Sequence, residues 1–347
     1  MSDKAEKPQK TLTIKAVKDF GFQYAIYFVF ITLILVITIK EPSFLSLNNF
    51  RNILSMSATR IIIAMGMGGI LITGGVDLSA GRMVGLAAVL SASFLQNLDY
   101  PRRMYPGMPI LPLILPIIVA MAACGLFGFF NGGFITKLKV PAFIATLGSQ
   151  VAVYGATSLY FDRPPYGAQP IGGLDSRFTT LGSGYVGFNG LYSIPYIVII
   201  AAVVTMFIYV LYNKTTFGKN LYAIGGNAEA ARVSGVNVGR TLIIMYTLAA
   251  ILYGLGGTLE AARTGGATNN YGNSYELDAI AACVVGGVSN LGGIGTVPGI
   301  VIGVLIFSVI NYGLTFINMS PYWQQIVKGA IIIAAVALDI RKYLTKR

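Results

Sequence analysis

The chain has 347 residues, of which 55% are hydrophobic and only 11% are charged. Soluble domains carry about 25% charged residues, so this composition indicates a membrane protein. Long apolar runs recur along the whole chain, which is typical of membrane-spanning helices; the strands of a β-barrel alternate polar and apolar residues instead. We interpret the net charge of +12 as the Lys and Arg bias of cytoplasmic loops, and we expect no nucleic-acid partner.

Residue types that carry out chemistry are scarce. Histidine is absent, which removes the usual general base and the favoured transition-metal ligand. Gly218-Lys219-Asn220 lacks the upstream glycine and the Ser/Thr of a phosphate-binding loop. Cys124 and Cys283 lie in separate apolar runs, which indicates buried thiols and no metal site. We therefore expect a chain that is not an enzyme and binds no cofactor.

The apolar runs predict an all-α polytopic membrane protein with about ten transmembrane helices, some short or broken. A basic tail, 1–19, precedes a transmembrane domain, 20–340, and a basic end, 341–347, follows it. Residues 40–60 are predicted to lie along the outer interface as an amphipathic stretch. The spans are predicted, in chain order, at 20–39, 61–76, 83–98, 111–135, 141–160, 194–212, 241–261, 279–288, 297–317 and 324–338.

The distribution of positive charge predicts the orientation. If both termini are cytoplasmic, the inner segments hold 16 Lys and Arg residues and the outer segments hold eight. Positive residues concentrate on the cytoplasmic side of membrane proteins. We therefore expect both termini, and the polar loop 213–240, to lie in the cytoplasm.

A short capped helix is predicted inside that loop. The side chain of Asn227 can accept a hydrogen bond from a free first-turn N–H group. Glu229 follows where the helix dipole favours a negative charge, and Gly235 stands just past the predicted end. A capped helix between spans favours docking to a partner, although an ordinary connecting loop is the alternative.

Two passages of the chain resemble each other. Residues 74–81 and 286–293 both begin with Gly-Gly-Val and continue with polar and glycine residues before an apolar run resumes. Broken hydrophobic segments in corresponding positions indicate a transport site, so these passages are predicted to line a cavity or its inner gate. Chance similarity in a glycine-rich chain is the alternative.

Five ionisable residues lie near or within the apolar runs: Asp77, Glu260, Glu276, Asp278 and Lys328. A charge at the centre of a span costs about 2.5–3.5 kcal/mol on insertion scales, so such residues usually face a cavity or a partner. Helix capping is an alternative for the aspartates. Lys328 is predicted either to pair with an acidic residue such as Glu276 or to extend towards the interface.

Four segments carry a family resemblance. Residues 72–82, 139–148, 217–235 and 275–282 resemble the permeases of bacterial ABC sugar importers. The ribose/galactose branch of that family is the nearest, and residues 267–270, 281–287 and 311–315 are most similar to its galactose/methylgalactoside members. The resemblance covers the chain from about Phe44 to the C-terminus.

The resemblance implies a multi-pass permease of the bacterial inner membrane that carries galactose, methylgalactoside or glucose. Two copies would form a homodimer on two cytoplasmic ABC ATPase subunits, which bind ATP and Mg²⁺. A periplasmic or lipid-anchored binding protein would deliver the sugar. The residues implied in coupling to the ATPase are Asn227, Glu229, Ala230, Ala231, Arg232 and Gly235.

Polar and aromatic residues in the spans are candidates for the sugar path, although helix packing or an interfacial belt explains many such aromatics. The candidates are Asp77, Ser79, Asn131, Phe143, Asn269, Asn270, Tyr271, Glu276, Asp278 and Asn311. An alternative function is a secondary sugar transporter driven by an ion gradient, for which Asp77 or Glu260 would couple the ion. A membrane enzyme is disfavoured because no catalytic arrangement is present.

Overall fold

A computed structural model describes residues 30–163, 167–187 and 193–344. Within these ranges the chain is mostly helical, and its sheet is one antiparallel ribbon of β1 (Tyr185–Val186) and β2 (Ile194–Pro195). The predicted basic tail 1–19, the first part of the first predicted span and the last three residues of the basic end lie outside the described residues.

Helices carry the fold, and a short 3₁₀ turn, Pro42–Leu45, separates the first two. They are α1 (Phe30–Lys40), α2 (Leu47–Ile72), α3 (Ala80–Phe94), α4 (Ile114–Lys137), α5 (Ala142–Phe161), α6 (Ser176–Ser183), α7 (Tyr196–Lys214), α8 (Thr216–Gly226), α9 (Ala228–Val233), α10 (Val238–Thr264), α11 (Tyr275–Val285), α12 (Val297–Phe316) and α13 (Pro321–Leu344).

In the described ranges, six helices are long and apolar enough to cross a membrane: α2, α4, α5, α7, α10 and α12. Helices α1 and α3 are shorter apolar helices. These helices confirm an all-α polytopic membrane protein. Helix α11 has 11 residues, which at 1.5 Å per residue gives about 16 Å, or half of the hydrocarbon core. It is a half-span, as the sequence indicates for this region.

Helix α2 corrects the prediction for residues 40–60. A single helix of 26 residues runs from Leu47 to Ile72, begun by Ser46, whose side chain accepts a hydrogen bond from the Asn49 N–H. Residues 47–60 therefore run without a break into the predicted second span and do not form a separate interfacial stretch, and Arg60, at the middle of α2, pairs with Asp278 of α11.

Helix α10 lies at the centre of the fold, against α2, α3 and α4. Its contact with α4 depends on small residues, since a Cβ atom on Gly128 would lie 2.5 Å from the Tyr246 carbonyl oxygen and one on Gly132 would lie 2.7 Å from the Ile243 Cα. Glycines at four-residue spacing allow helices in a bilayer to pack backbone to backbone. This packing leaves one edge of α3 free to meet α5 and α11.

Candidate functional site

The site is built where two interrupted helices meet. Helix α3 begins after the loop 73–79, and α11 begins after the segment 265–274. A Cβ atom on Gly81 would lie 2.3 Å from the Gly272 carbonyl oxygen and 2.1 Å from Glu276 Oε2, so the two helix starts touch through glycine. Gly272 itself has a φ of +74°, a left-handed conformation that glycine adopts without strain. Carboxylates beside these helix starts complement the positive ends of the helix dipoles.

Asp77 anchors the first group of polar residues. Its Oδ1 accepts hydrogen bonds from the Ser79 N–H (2.9 Å) and the Ser79 hydroxyl. The Asn131 amide donates to Ser79 Oγ (3.1 Å), and Ser149 donates to the Asn131 carbonyl oxygen. Three of the predicted path residues therefore lie together, joining the start of α3 to α4 and α5. In the described part of the chain, Asp77 Oδ2 has no hydrogen-bond partner.

Arg82 organises the second group, which we call the Arg82 cluster. Its guanidinium donates to Asn270 Oδ1 (3.3 Å) and Asn273 Oδ1 (2.9 Å), and lies 4.3 Å from the centre of the Tyr154 ring on α5. Gln150, one turn before Tyr154, donates to Glu276 Oε1 at 3.3 Å. The cluster, defined as Arg82, Gln150, Tyr154, Asn270, Asn273 and Glu276, thus joins α3, α5, α11 and the segment before α11.

Arg60 organises a third group, the Arg60 cluster. Arg60 and Lys328 both contact Asp278 Oδ2, at 2.7 and 3.2 Å, and the Arg60 guanidinium lies 4.9 Å from the centre of the Tyr275 ring. Lys328 therefore has an acidic partner, but that partner is Asp278 and not the predicted Glu276.

Glu260 belongs to the same cluster and is saturated by donors. It accepts hydrogen bonds from Thr59 (2.8 Å), Arg263 (2.8 Å) and the Tyr275 hydroxyl (3.2 Å). A carboxylate held by a cation and two hydroxyls is disfavoured as an ion-coupling group, because releasing it would leave the partly buried Arg263 without its ion-pair partner. The Arg60 cluster, defined as Thr59, Arg60, Glu260, Arg263, Tyr275, Asp278 and Lys328, fixes α11 against α2, α10 and α13.

The remaining predicted path residues lie outside these groups. Asn269 donates to Ser158 of α5 (3.2 Å), and the Tyr271 hydroxyl donates to Thr264 at the end of α10. Phe143 lies exposed in the first turn of α5. Asn311 is buried on α12, where its side-chain amide has no partner among the described residues.

The sequence prediction of path residues missed Arg82 and Asn273, which are central to the geometry. Both are polar residues beside a predicted break in an apolar run, so their positions carried a signal. The contact between Arg82 and Asn273 could not be predicted, because 191 positions separate them in the sequence.

One edge of α5 is exposed beside these groups. Only 22% of its apolar stretch is buried, and a Cβ atom on Gly148 or Gly155 would meet no atom within 4 Å. Helix α7 is equally exposed, but before its last turn its exposed residues are apolar or aromatic, as lipid contact requires. Beside α5, by contrast, Asn270 and Asn273 are exposed. Polar groups at membrane depth face water or another protein, because facing lipid is costly.

The two glycine-rich passages meet on the other side of the site. The Gly293 N–H donates to the Ile72 carbonyl oxygen at 2.8 Å, and residues 74 and 292 approach backbone to backbone. Helix α8 closes over both, since a Cβ atom on Gly225 would lie 1.8 Å from the Ile72 carbonyl oxygen, and the Tyr222 hydroxyl donates to Gly295 (3.0 Å). The similar passages are therefore neighbours in space, in contact with one end of the polar loop.

Helix α9 has the predicted cap. The Asn227 side chain accepts from the Ala230 N–H (3.0 Å), and the chain turns away at Gly235 with a φ of +88°. Glu229 and Arg232 pair at 2.8 Å on the outside of the helix, with side chains 76% and 61% exposed. Ala231 is buried beneath them. Helix α9 thus has an exposed, charged face. The preceding helix, α8, contacts the two glycine-rich passages at the helix interruptions.

Comparison with known proteins decides the family. The model for "Branched-chain amino acid transport system / permease component" matches residues 49–336. The chain belongs to this permease family. Galactose/methyl galactoside import permease protein MglC of Escherichia coli K12 is 54% identical over 322 residues, covering 93% of this chain and 95% of that protein. The protein of the same name from Haemophilus influenzae is 52% identical over 329 residues, covering 95% and 97%.

A more distant relative is the ribose import permease protein RbsC of Bacillus subtilis, which is 39% identical over 312 residues, covering 89% and 90% of the two chains. No solved structure matches the chain closely enough to count as similar. The family match confirms the resemblance given by the sequence. This permease is a component of the bacterial inner membrane and is a transport subunit, not a catalytic one.

Proposed function

We propose that the chain is the transmembrane permease of an ATP-driven ABC importer for galactose and methylgalactoside, with glucose as a further substrate. The observation that carries the proposal is the identity of more than half of the residues with the galactose/methyl galactoside import permeases, along nearly the whole chain. The joined polar groups at the helix interruptions support it, because planar amides and carboxylates are suited to sugar hydroxyls.

The path is proposed to run along the exposed edge of α5. Of its proposed central residues, Asn270 is exposed at this edge, and the buried Asp77, Ser79, Asn131 and Glu276 adjoin α5 through Ser149 and Gln150. Asn269, Tyr271, Phe143 and Asn311 remain proposed contributors. We assign Asp278 to holding α11 in place, because two cations bind it. A second copy of the permease is proposed to cover this edge, forming a homodimer with the path between the copies. Such a pairing would remove exposed polar groups from lipid.

Coupling to the ATPase is proposed to occur at α9. About ten spans with both termini in the cytoplasm would place the loop 213–240 on the cytoplasmic side. Asn227, Glu229, Ala230, Ala231, Arg232 and Gly235 are the proposed docking residues. Movement there would reach the interrupted helices through α8, whose Gly225 touches Ile72 at the end of α2. ATP and Mg²⁺ would be bound by the ATPase subunit, and a binding protein would present the sugar on the opposite side.

The test is sugar uptake by proteoliposomes that contain the permease, with or without its ATPase subunit and binding protein. We expect labelled galactose to accumulate only when both partners and lumenal ATP are present. A proton or sodium gradient should drive no uptake in the absence of the ATPase subunit. Gradient-driven accumulation by the permease alone would instead establish the secondary transporter.

Adjacent glycines provide a matched pair of variants for the coupling step. Gly225→Ala would place a methyl group against the Ile72 backbone, whereas Gly226→Ala meets no atom within 4 Å. Overpacking of this kind costs about 1–3 kcal/mol, so we expect Gly225→Ala to lower ATP-driven uptake by about tenfold or more. Gly226→Ala should stay close to wild type. Equal uptake by the two variants would contradict coupling through α8.

A further inference from the structure

The Arg82 cluster contains an aromatic ring whose face is covered by a cation. Tyr154 lies near the middle of α5 with 38% of its surface exposed, and the Arg82 guanidinium lies 4.3 Å from the centre of its ring. Arg82 is held there by Asn270 and Asn273, which are themselves exposed. The ring, the cation and the two amides therefore all border the open edge of the molecule.

Glu276 gives the cluster a second recognising element. It is only 6% exposed, and its Oε1 accepts a hydrogen bond from Gln150. Among the described residues, its Oε2 has no hydrogen-bond partner. Because polar atoms that are removed from water usually have a partner, this oxygen is an acceptor suited to a hydroxyl donor that reaches the cluster.

The combination matches a neutral pyranose. One face of a pyranose ring carries C–H groups that pack on an aromatic ring, while its hydroxyls both donate and accept hydrogen bonds. Guanidinium and amide N–H groups donate, and amide and carboxylate oxygens accept. Arg82 supplies five N–H donors in a planar arrangement, so it can exchange an asparagine oxygen for a sugar oxygen without losing its charge or its position on α3.

Building on the function proposed above, we propose that the Arg82 cluster is the sugar-contacting site of the path. The Tyr154 ring packs against the pyranose, Arg82 moves off the ring to hydrogen-bond a sugar hydroxyl oxygen, and Glu276 accepts a hydrogen bond from another hydroxyl. In the absence of sugar, Arg82 ties α5 to the segment before α11 and covers the ring. The same residue thus contacts the sugar and closes the route when no sugar is present.

The arrangement is poorly suited to a purely structural role. The oxygens that hold Arg82 belong to neutral, exposed amides, at 2.9 and 3.3 Å, and no carboxylate within the described ranges forms an ion pair with it. Hydrogen bonds to neutral groups are weaker than those between charged groups. A contact of this kind can open and close in each transport cycle.

The experiment measures sugar moved per ATP hydrolysed, in proteoliposomes that contain the whole importer with its binding protein loaded with galactose. Tyr154→Leu removes the ring, and we expect the ratio to fall about tenfold, the equivalent of losing one aromatic contact. Tyr154→Phe keeps the ring and should restore most of the ratio.

Arg82→Lys keeps the charge but loses the planar donors, so it should also lower the ratio of sugar moved to ATP hydrolysed and change the preference between galactose and methylgalactoside.

Tyr209→Leu is the matched control. Tyr209 lies on α7 with 37% of its surface exposed, nearly the same fraction as Tyr154. It borders an apolar groove between α2, α7 and α12, so we expect its replacement to leave the ratio close to wild type.

Two results would overturn the proposal. A Tyr154→Leu importer that moves sugar at the wild-type ratio would show that the ring does not contact the sugar. Loss of both ATP hydrolysis and uptake in Tyr154→Leu would assign the ring to helix packing. A wild-type importer without ATP-driven uptake would instead contradict the proposed function itself. Uptake by the wild-type importer is therefore measured before any variant is compared with it.

Discussion

The Arg60 and Arg82 clusters use similar side chains in opposite ways. Each places an arginine over a tyrosine ring, at 4.9 and 4.3 Å from the ring centre. Each lies beside acidic residues in the first turn of α11. Arg60, however, pairs with the Asp278 carboxylate at 2.7 Å, whereas Arg82 is held by the neutral amides of two asparagines.

This difference separates fixed from exchangeable contacts. Breaking one ion pair in the Arg60 cluster leaves a partly buried charge without its partner, so the cluster resists rearrangement. Breaking the contacts of Arg82 exposes a cation to an open edge where a polar ligand or water can replace an amide oxygen. We infer that α11 is held rigidly on one side, by Asp278, and is adaptable on the other, at Glu276.

The largest expected effect is in the Arg60 cluster. Asp278→Ala leaves Arg60 and Lys328 facing each other without their shared carboxylate. Removing one partner of a fully buried ion pair costs about 3–5 kcal/mol. The side chains of Arg60 and Lys328 are 18% and 27% exposed, so we expect a somewhat smaller loss and a clearly lower unfolding temperature in detergent than wild type.

The control for Asp278→Ala is Glu229→Ala, which breaks the exposed pair with Arg232 on α9. Exposed pairs contribute about 0–1 kcal/mol, so the melting temperature of this variant should be close to that of wild type. Equal melting temperatures for the two variants would mean that the Arg60 cluster does not stabilise the fold.

An intermediate effect is expected where the two helix starts touch. Gly81→Ala would place a methyl group against the Gly272 carbonyl oxygen and the Glu276 carboxylate. Overpacking costs about 1–3 kcal/mol, and here the strain falls on the half-helix contact, so uptake should be lost while the protein still folds. Size-exclusion chromatography shows whether the variant is folded, and an uptake assay measures the loss of transport separately.

Gly133→Ala is the matched control for the half-helix contact. A Cβ atom at Gly133 of α4 would meet no atom within 4 Å. Alanine favours a helix over glycine by about 1 kcal/mol, so this variant should be at least as stable as wild type and should transport sugar. Normal uptake by Gly81→Ala would show that the contact between α3 and α11 tolerates displacement.

Local features of the fold could be predicted from the sequence. The long apolar runs marked most spans, and the glycine-rich breaks marked the interruptions before α3 and after α11. The cap of α9 was predicted correctly because Asn227 and the N–H group it accepts from are three residues apart. In each case the residues that determine the structure are neighbours in the chain.

Pairings between distant residues could not be predicted in the same way. Residues 40–60 were predicted as a stretch separate from the second span, and the pairing of Arg60 could not be foreseen because its partner, Asp278, is 218 positions away. Lys328 was predicted either to pair with an acidic residue such as Glu276 or to extend towards the interface. It pairs with Asp278, and Glu276 and Asp278 point about 200° apart around the helix. Only the packing of α13 against α11 decides which carboxylate the lysine meets.

The smallest expected effect comes from making the Arg82 cluster resemble the Arg60 cluster. Asn273→Asp replaces the amide 2.9 Å from the Arg82 guanidinium with a carboxylate. Since an exposed ion pair contributes only about 0–1 kcal/mol, the melting temperature should rise slightly or not at all. Uptake should fall nonetheless, because a charged partner holds Arg82 over Tyr154 more tightly than a neutral amide does.

Asn273→Ala removes the same hydrogen bond without adding charge, and it should reduce uptake less than Asn273→Asp. If the two variants transport sugar equally well, Arg82 does not need to leave the ring, and the distinction between a fixed and an exchangeable cluster is wrong.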